Sequence, residues 1–477
     1  MLSPVNTPPV NDPSVYIENL GCAKNQVDAE IMGARLEAAG WRWVSAPEQA
    51  SLILVNTCGF IEPAQQESID TALAVLAAHP DVPVALTGCL AQRFSGDLAE
   101  GMPELAGVFG NRRPERIVEF VERLLREERD PGSPLVWLPD GGPHLADPQR
   151  SRLLSHAGSV FLKVAEGCNH NCSFCAIPSI RGVQRTRESS SILEEFRVLR
   201  GRGLREFNLV AQDLAAWYDG QDGTGPGIMA LLETLLAEPG DFWLRPLYLY
   251  PDTFPLQIVE LSRRDPRLLP YFDLSFQHGS VDILRRMGRP GEASRYLDLI
   301  SSIREINPDV ALRSSFIVGF PGERENHFQQ LLDFVQAAEL EWVGVFEFSP
   351  QAGTPAGDRK GGSVPAAEKR RRRERLEALQ QPITTRRLER FLGRTIPVLL
   401  EESIQGTDIA LGRSRMQAPE VDGLVVVHGV RTDARAGDRT GAHLPSAAPP
   451  SAVRFVDARV TGVTGVDLQA DYLGDRD

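Results

Sequence analysis

The chain has 477 residues, of which 42% are hydrophobic and 24% are charged. This composition is that of a globular protein, and the length suggests about three domains rather than one core. The formal net charge of −13 argues against a broad basic surface for nucleic acid and suits a basic partner better. No apolar run approaches the roughly eighteen residues of a membrane span, and residues 1–14 lack the features of a signal peptide. We therefore expect a cytoplasmic protein that contacts no membrane.

Residues 1–13 predict a disordered tail, and residues 14–127 predict an α/β domain in which apolar strands alternate with amphipathic helices. Three of these strands run directly into a cysteine, namely Cys22, Cys58 and Cys89. In a parallel sheet the strand-to-helix turns lie along one carboxyl edge, so these cysteines can meet at one point. Nearby helix N-termini would favour thiolates and an anionic cluster. We interpret the three as ligands of a [4Fe–4S] cluster; the alternative is three small buried core residues.

Residues 128–153 are rich in Pro and Gly and predict a linker. Beyond the linker, Cys168, Cys172 and Cys175 form a C-x3-C-x2-C pattern. Three thiolates at this spacing can bind three irons of a [4Fe–4S] cluster and leave the fourth iron open to a small ligand. The alternative is a zinc site with His170 as the fourth ligand, although zinc sites mostly pair C-x2-C units. Clustered cysteines in a cytosolic protein bind metal more often than they form disulfides.

Residues 154–387 contain six apolar strand candidates separated by helical segments. Six such units are too few for an eight-stranded barrel and predict an open, partial (β/α)6 barrel, whose chemistry should collect at the carboxyl ends of the strands. His278 lies at one of these ends and could bind a cofactor or shuttle protons, or be an ordinary satisfied histidine. The other polar or Gly positions that form the candidate site mouth are residues 166–175, Gln212, Asp213, Tyr250, Gln277 and Gly319.

The most basic stretch of the chain is EKRRRRER, residues 368–375. It could contact RNA, but the helical residues on both sides favour a solvated helix face. Residues 388–477 show short strands without helices and predict a small all-β barrel. From Phe391 onward there are twelve Asp or Glu and nine Lys or Arg, which favours a basic protein over RNA as the barrel's partner. Inside the barrel, residues 435–452 predict a long loop for which the sequence suggests no role.

The two three-cysteine patterns, one in a small α/β domain and one opening a larger barrel, resemble those of the methylthiotransferases. These are radical S-adenosylmethionine (SAM) enzymes that replace a C–H bond with C–SCH3, and GRSRMQAPEVDG is similar to their TRAM domain. The resemblance implies SAM and two [4Fe–4S] clusters. The cluster of the C-x3-C-x2-C segment would cleave SAM, and the cluster of the strand-end cysteines would carry the sulfur. The residues then expected to contact SAM are Phe174, Gln212, Gln277, His278, Val318 and Gly319.

Within this family, NTCGFIEPAQQESID, TGCLAQR and GCNHNCSFCAIPSIRG are similar to the branch that methylthiolates the β-carbon of an aspartate of ribosomal protein uS12. The resemblance implies that uS12, free or within the small ribosomal subunit, is the partner. It also implies an electron donor such as a flavodoxin or ferredoxin, and leaves the sulfur donor open. Ser275 departs from the family pattern, in which proline is common. The alternatives are a tRNA adenosine methylthiotransferase and a non-catalytic iron–sulfur or zinc module that docks on ribosomes.

Overall fold

The computed structural model describes residues 12–126, 132–139, 150–155, 157–220, 223–430 and 453–476. Most of the predicted tail and all of the predicted loop at 435–452 lie outside these residues. Two compact units are present. The first comprises Met1–Leu154, Lys163–Glu195 and Ser349–Asp358, and the second comprises Ser155–Leu162, Phe196–Phe348 and Arg359–Asp477. Among the helices that the structure describes, none has the length and apolarity required to cross a bilayer.

The amino-terminal part of the first unit is a parallel sheet of six strands in the order β2–β1–β3–β4–β5–β6. Helices cover both faces of the sheet. Apolar side chains of these helices form one core on each face, with Met32 and Phe120 on one face and Leu90 and Leu98 on the other. The predicted parallel α/β fold is confirmed. The elements are β1 (Ser14–Asn19), α1 (Ala23–Ala38), β2 (Arg42–Trp43), β3 (Leu52–Thr57), α2 (Glu62–Ala78), β4 (Val84–Thr87), α3 (Gly88–Arg93), α4 (Ser95–Gly101), β5 (Gly107–Phe109), α5 (Ile117–Leu125) and β6 (Leu135–Trp137).

The last strand of this sheet lies inside the segment for which the sequence predicts a linker. β6 pairs with β5 through Leu135, Val136 and Trp137. The strand has three residues and lies at the edge of the sheet, where Val136 is exposed. So short an apolar run, flanked by Pro and Gly, carries no strand periodicity that could be recognised in the sequence. Part of the predicted linker therefore belongs to the first unit.

The cysteine-rich segment follows in the chain order β7 (Ser159–Lys163), β8 (Ala165–Glu166), α6 (Ile177–Arg181), β9 (Arg185–Thr186) and α7 (Ser189–Gly201). Strands β8 and β9 form a small antiparallel pair, and the C-x3-C-x2-C loop and α6 lie between them. The ends of the loop are therefore fixed by backbone hydrogen bonds. The backbone N–H of Cys168 also donates to the carbonyl oxygen of Gly182 at 3.2 Å.

The second unit contains the six strands that the sequence predicts for a partial barrel. They form two three-stranded sheets, β11–β10–β7 and β12–β13–β14, and isolated parallel bridges join Leu244 to Leu268 and Leu249 to Leu274. The fold class is thus confirmed. The elements are β10 (Glu206–Val210), α8 (Ile228–Leu236), β11 (Trp243–Pro246), α9 (Gln257–Arg264), β12 (Tyr271–Asp273), α10 (Val281–Arg286), α11 (Ala293–Ile306), β13 (Ala311–Val318), α12 (Glu325–Ala338) and β14 (Trp342–Glu347).

Helix α13 (Ala366–Glu389) leads into a closed five-stranded barrel in the order β15–β16–β17–β19–β18, which confirms the predicted all-β module. The basic run lies on α13, where Arg371 and Arg375 pair with Glu325 of α12. Acidic side chains therefore neutralise much of this run, as the solvated-helix interpretation expects. The strands of the barrel are β15 (Thr395–Ser403), β16 (Ile409–Ser414), β17 (Val425–His428), β18 (Arg454–Thr464) and β19 (Asp467–Asp475).

A buried ion network connects the small barrel to strands β10 and β11 of the partial barrel. Glu206, the first residue of β10, pairs with Arg245 of β11 at 2.8 Å and with Arg413 of β16. Arg413 also pairs with Glu401 of β15 at 2.6 Å. Because Glu206 is fully buried between two guanidinium groups, its pKa is lowered to about 2 in spite of the burial. The small barrel is thus held by buried charges as well as by apolar packing.

Candidate metal centre

The three strand-end cysteines lie at three strand-to-helix turns of the first unit. Cys22 precedes the first residue of α1, Cys58 directly follows β3, and Cys89 is the second residue of α3. Strands β1, β3 and β4 are neighbours in the parallel sheet, so these turns leave the sheet at the same edge. The alternation of strands and helices predicts this arrangement from the sequence.

Two glycines beside these cysteines allow the turns to approach each other closely. A side chain added at Gly21, which has a φ of +96°, would place its Cβ 3.0 Å from the Cβ of Cys58. A Cβ at Gly59 would lie 2.7 Å from the carbonyl carbon of Cys89. Any larger residue would push the turns apart. The backbone therefore brings the Cys22 turn against Cys58 and the Cys58 turn against Cys89.

The thiol of Cys89 is the most enclosed of the three and has three polar neighbours. The Nη2 atom of Arg181 and the Nδ2 atom of Asn111 each donate to its Sγ at 3.3 Å, and its Sγ lies 3.2 Å from Oδ1 of Asn25. Burial raises the pKa of Cys89 to about 12, and the charge of Arg181 opposes this rise. A metal ion that replaces the proton would find a sulfur ligand that still accepts hydrogen bonds from Arg181 and Asn111.

The other two thiols differ in their electrostatic surroundings. The Cys22 side chain is open to solvent. Its pKa is lowered, because the charges of Lys24 and Arg181 and two backbone N–H groups together outweigh the opposing desolvation by neighbouring atoms. The half-buried Cys58 has a raised pKa, because desolvation raises it by more than the hydrogen bond from the backbone N–H of Phe60 lowers it. Cys22 is therefore the thiol that ionises most readily, and Arg181 favours the thiolate form at all three positions.

The C-x3-C-x2-C loop presents three half-buried thiols. Backbone N–H groups point at two of them: the N–H of His170 donates to Sγ of Cys168 at 3.4 Å, and the N–H of Ile177 donates to Sγ of Cys175 at 3.5 Å. The N–H of Cys175 in turn donates to the carbonyl oxygen of Cys172 at 3.1 Å, which makes the loop a tight turn. N–H groups directed at sulfur stabilise a thiolate and an anionic cluster bound to it.

The number of thiols in each group matches the three protein ligands of a [4Fe–4S] cluster with one open iron. Within the described ranges, no three His, Cys, Asp or Glu side chains surround one ion position. A [4Fe–4S] cluster binds each thiolate to a different iron, so its ligands need no common centre. Each group offers three thiols with N–H or cationic neighbours, and the chain has six cysteines in all. The residues present therefore fit a three-ligand cluster at each group.

Four buried charged residues lie next to the strand-end cysteines. Arg181 donates through Nη1 to Asp28 at 3.0 Å and to Glu166 at 2.8 Å, and through Nη2 to Oδ1 of Asn25 at 2.6 Å. Lys163 pairs with the second oxygen of each carboxylate. All four charged side chains are at most 4% exposed. The two cations and two anions thus form a closed network of ion pairs, which holds the Arg181 guanidinium in a fixed position.

This arrangement connects the two groups of cysteines. Arg181 ends helix α6, which begins two residues after Cys175, and its guanidinium contacts Cys89. The side chain of Arg112, which follows β5, donates to the carbonyl oxygens of Ser179 and Ile180 and so fixes the same helix. Both groups of cysteines therefore belong to one packed body, the first compact unit.

The six candidate SAM contacts stay a prediction, and they are distributed over both compact units. Phe174 is a half-buried residue of the cysteine loop in the first unit, and the other five belong to the second unit. Gln277 lies beside the end of β13, because its carbonyl accepts the N–H of Ile317 at 2.9 Å, and this brings it next to Val318 and Gly319. Its φ of +69° is unusual for a residue other than Gly, and such strain is often found at functional sites. Half-buried Gln212 follows the end of β10.

His278 is fully buried, so its side chain does not line an open surface. Its Nδ1 accepts the N–H of Ser280 at 2.9 Å, and its Nε2 lies 3.8 Å from a carboxylate oxygen of Glu323. Glu323 has a lowered pKa, since the contacts with His278 and the N–H of Phe320 outweigh its burial. The histidine therefore serves at least to hold the turn that follows β13, and its contact with SAM stays a prediction.

Sequence reasoning did not single out Arg181, Asp28, Lys163, Asn25 or Asn111. The motif GCNHNCSFCAIPSIRG contains Arg181, but nothing in its spacing distinguishes it from a surface arginine. A charged residue in an otherwise apolar element is the one available signal, and Lys163 at the end of the apolar strand SVFLK provides it.

The comparisons with known proteins agree with this architecture. Residues 14–110 match the Uncharacterized protein family UPF0004, residues 162–335 match the Radical SAM superfamily, and residues 392–473 match the TRAM domain. The chain also resembles the solved structure of the radical SAM methyltransferase TsrM from Kitasatospora setae, with a TM-score of 0.53 and 14% identity over 72% of this chain and 77% of that one. At this identity the likeness concerns the fold alone. Fold, cysteine pattern and domain matches together define a radical SAM enzyme.

Two curated relatives narrow the class. The ribosomal protein uS12 methylthiotransferase RimO of Treponema denticola is 39% identical over 94% of this chain and 98% of its own length. The protein of the same name from Moorella thermoacetica is 42% identical over 87% of this chain and 93% of its own length. The chain therefore belongs to the uS12 methylthiotransferase RimO family. It is an enzyme of the transferase class, and its membership in the radical SAM superfamily implies a [4Fe–4S] cluster and SAM as cofactors.

Proposed function

We propose that this enzyme transfers a methylthio group to the β-carbon of an aspartate of ribosomal protein uS12. The observation that carries the proposal is that two groups of three cysteines lie in one compact unit and share the contact between Arg181 and Cys89. Such a pair of sites is what an enzyme needs if one cluster activates SAM and another supplies sulfur. The family membership of the chain supports uS12 as the substrate.

The protein's own residues have three tasks in this reaction. Cys168, Cys172 and Cys175 would hold one cluster, and the strand-end cysteines would hold the second. When bound, the clusters and SAM supply the radical that removes hydrogen from an unactivated carbon and the sulfur that replaces it. Each group offers three ligands, so one iron of each cluster is left without a cysteine. The polar residues at the carboxyl ends of the barrel strands, Gln277 among them, would position SAM.

The charge of the small barrel supports a protein substrate. From Phe391 onward the barrel is net acidic, and ribosomal proteins are basic. Glu402 and Asp408 are exposed near the turn between β15 and β16. Opposite charges of this kind raise the rate of encounter and align the partners. We propose that the reaction takes place in the cytoplasm, with a flavodoxin or ferredoxin as the electron donor.

The substrate is tested directly with purified, reconstituted enzyme. We expect SAM and a reductant to increase the mass of uS12, or of a peptide around its target aspartate, by about 46 Da, the mass of one methylthio group in place of hydrogen. A peptide in which alanine replaces this aspartate is the control and should stay unmodified. Mass spectrometry of the peptide and of tRNA from the same reaction provides the measurement. Modification of tRNA adenosine without any change in uS12 would show that the enzyme belongs functionally to the tRNA branch.

Recognition by the small barrel is tested by charge reversal rather than deletion. Deleting the barrel would remove Arg413 and leave Glu206 with one of its two cationic partners. We expect Glu402→Lys with Asp408→Lys to raise the KM for uS12 roughly tenfold, because it removes electrostatic attraction to a basic protein. SAM cleavage in the absence of uS12 should not change.

The matched control for this variant is Asp298→Lys with Glu305→Lys on the exposed side of α11. It changes the net charge equally but lies outside the small barrel. Steady-state kinetics with uS12 as the varied substrate compare the two variants. Equal KM values for the two variants would show that the small barrel does not take part in substrate recognition.

A further inference from the structure

We propose that Arg181 sets the reduction potential of the cluster held by Cys22, Cys58 and Cys89 and stabilises the Cys89 thiolate as its ligand. This role rests on the proposed function insofar as it assumes a cluster at the strand-end cysteines. Arg181 thereby makes this cluster depend on the segment that carries the other three cysteines. It acts through Cys89, so it is a positioning residue and not a catalytic one.

The first argument is the geometry of the contact. The Nη2 atom of Arg181 lies 3.3 Å from Sγ of Cys89 and 2.6 Å from Oδ1 of Asn25, and Asn25 itself lies on α1, three residues beyond Cys22. The Nη1 atom is held by the carboxylates of Asp28 and Glu166. A planar guanidinium with both ends occupied cannot rotate away from the sulfur. The hydrogen bond to the ligand atom is therefore built into the fold.

The second argument is the charge balance. Lys163 and Arg181 are neutralised by Asp28 and Glu166, so the four side chains are stable in the buried site without any cluster. One of the two cations nevertheless points at a thiol. The thiolate ligands and the cluster bring further negative charge next to it, and reduction adds one electron more. A buried cation at this distance favours the reduced state and so raises the reduction potential.

The alternative is that Arg181 only joins elements of the fold, as Arg150 does. Arg150 is also buried and also pairs with two carboxylates, those of Glu30 on α1 and Glu195 on α7. The two arginines are therefore a matched pair. Each connects α1 to a later segment of the first unit through carboxylates, and Arg181 in addition donates to Sγ of Cys89.

The experiment is a redox titration of the reconstituted full-length enzyme, monitored by electron paramagnetic resonance. A Cys172→Ala background assigns the signal of the cluster at the strand-end cysteines. We expect Arg181→Gln to lower the reduction potential of this cluster and to speed its loss of iron to a chelator roughly 10- to 100-fold, the range typical for neighbours of metal ligands. Arg181→Lys keeps the positive charge but lacks the several N–H donors of the guanidinium, so its reduction potential and rate of iron loss should be intermediate. Arg150→Gln should leave the reduction potential unchanged.

A further variant covers the case in which Arg181→Gln does not fold. Arg181→Gln with Glu166→Gln removes one cation and one anion, so the buried charges remain balanced, and a smaller fall in potential is expected because the loss of the carboxylate offsets part of the loss of the cation. The proposal would be overturned if either folded variant kept both the reduction potential and the rate of iron loss of the wild type. It would also be overturned if Arg150→Gln changed these two quantities as much as Arg181→Gln does. None of these measurements uses uS12. A failure to modify uS12 would therefore count against the proposed function and not against this role of Arg181.

Discussion

Replacing Cys58 with alanine is expected to abolish methylthiolation of uS12 while the reductive cleavage of SAM persists. The variant leaves two thiolates, those of Cys22 and Cys89, at the strand-end site, and a cluster with two protein ligands usually fails to assemble. The reconstituted enzyme should then contain about half of the roughly eight iron atoms expected for two clusters. The C-x3-C-x2-C loop keeps its three thiols and its N–H donors, so 5′-deoxyadenosine should still be formed.

Cys172→Ala is the matched variant at the other group. It should also lower the iron content by about half, but it should stop 5′-deoxyadenosine formation as well as methylthiolation. Iron analysis and chromatography of the SAM products distinguish the two variants. Full iron content and full activity in Cys58→Ala would mean that the strand-end cysteines are core residues and that the enzyme has one cluster.

Replacing Glu206 with glutamine should destabilise the second unit by roughly 3–5 kcal/mol, because it leaves Arg245 and Arg413 buried without the carboxylate between them. The pKa of Glu206 is lowered from 4.5 to about 2, since the two arginines outweigh the burial that opposes ionisation. Its contribution to stability is thus complete above about pH 4.5 and is lost as the pH falls toward 2. The difference in the free energy of unfolding between wild type and variant should therefore be constant near neutral pH and shrink below pH 4.5.

Asp422→Asn is the control for this prediction, because Asp422 is a buried acid in the same unit with the opposite shift. Burial raises its pKa to about 6 in spite of Arg313 and the hydroxyl of Tyr271. A raised pKa means that its contribution is complete below about pH 3.8 and is lost as the pH rises through 6. Urea unfolding at pH 7 should show a much smaller loss for Asp422→Asn than for Glu206→Gln. Equal losses would contradict the assignment of the buried charges.

Much of the architecture could be predicted because its signals are local. Six strands of the partial barrel were recognisable as separate apolar runs, and the all-β module from short strands without helices. The position of Cys22, Cys58 and Cys89 follows from strand-to-helix turns, whose location at one edge of a parallel sheet is a general rule. The strand β6 shows the limit of such signals. Three half-exposed residues between Pro and Gly form a strand because β5 offers a free edge, which no local pattern encodes.

The sequence by itself determined the two groups of cysteines, the order of the three folds and the family to which they belong, since spacing and hydrophobic periodicity are properties of neighbouring residues. Only the tertiary structure decided which charges are buried and what they contact. Arg181 and Cys89 are 92 residues apart in the chain, and Arg413 and Glu206 are 207 apart. The sequence does not show whether a charged residue is solvated by water or paired with a buried carboxylate. Its partner is fixed by the packing of distant elements, because burial makes an unpaired charge too costly to tolerate.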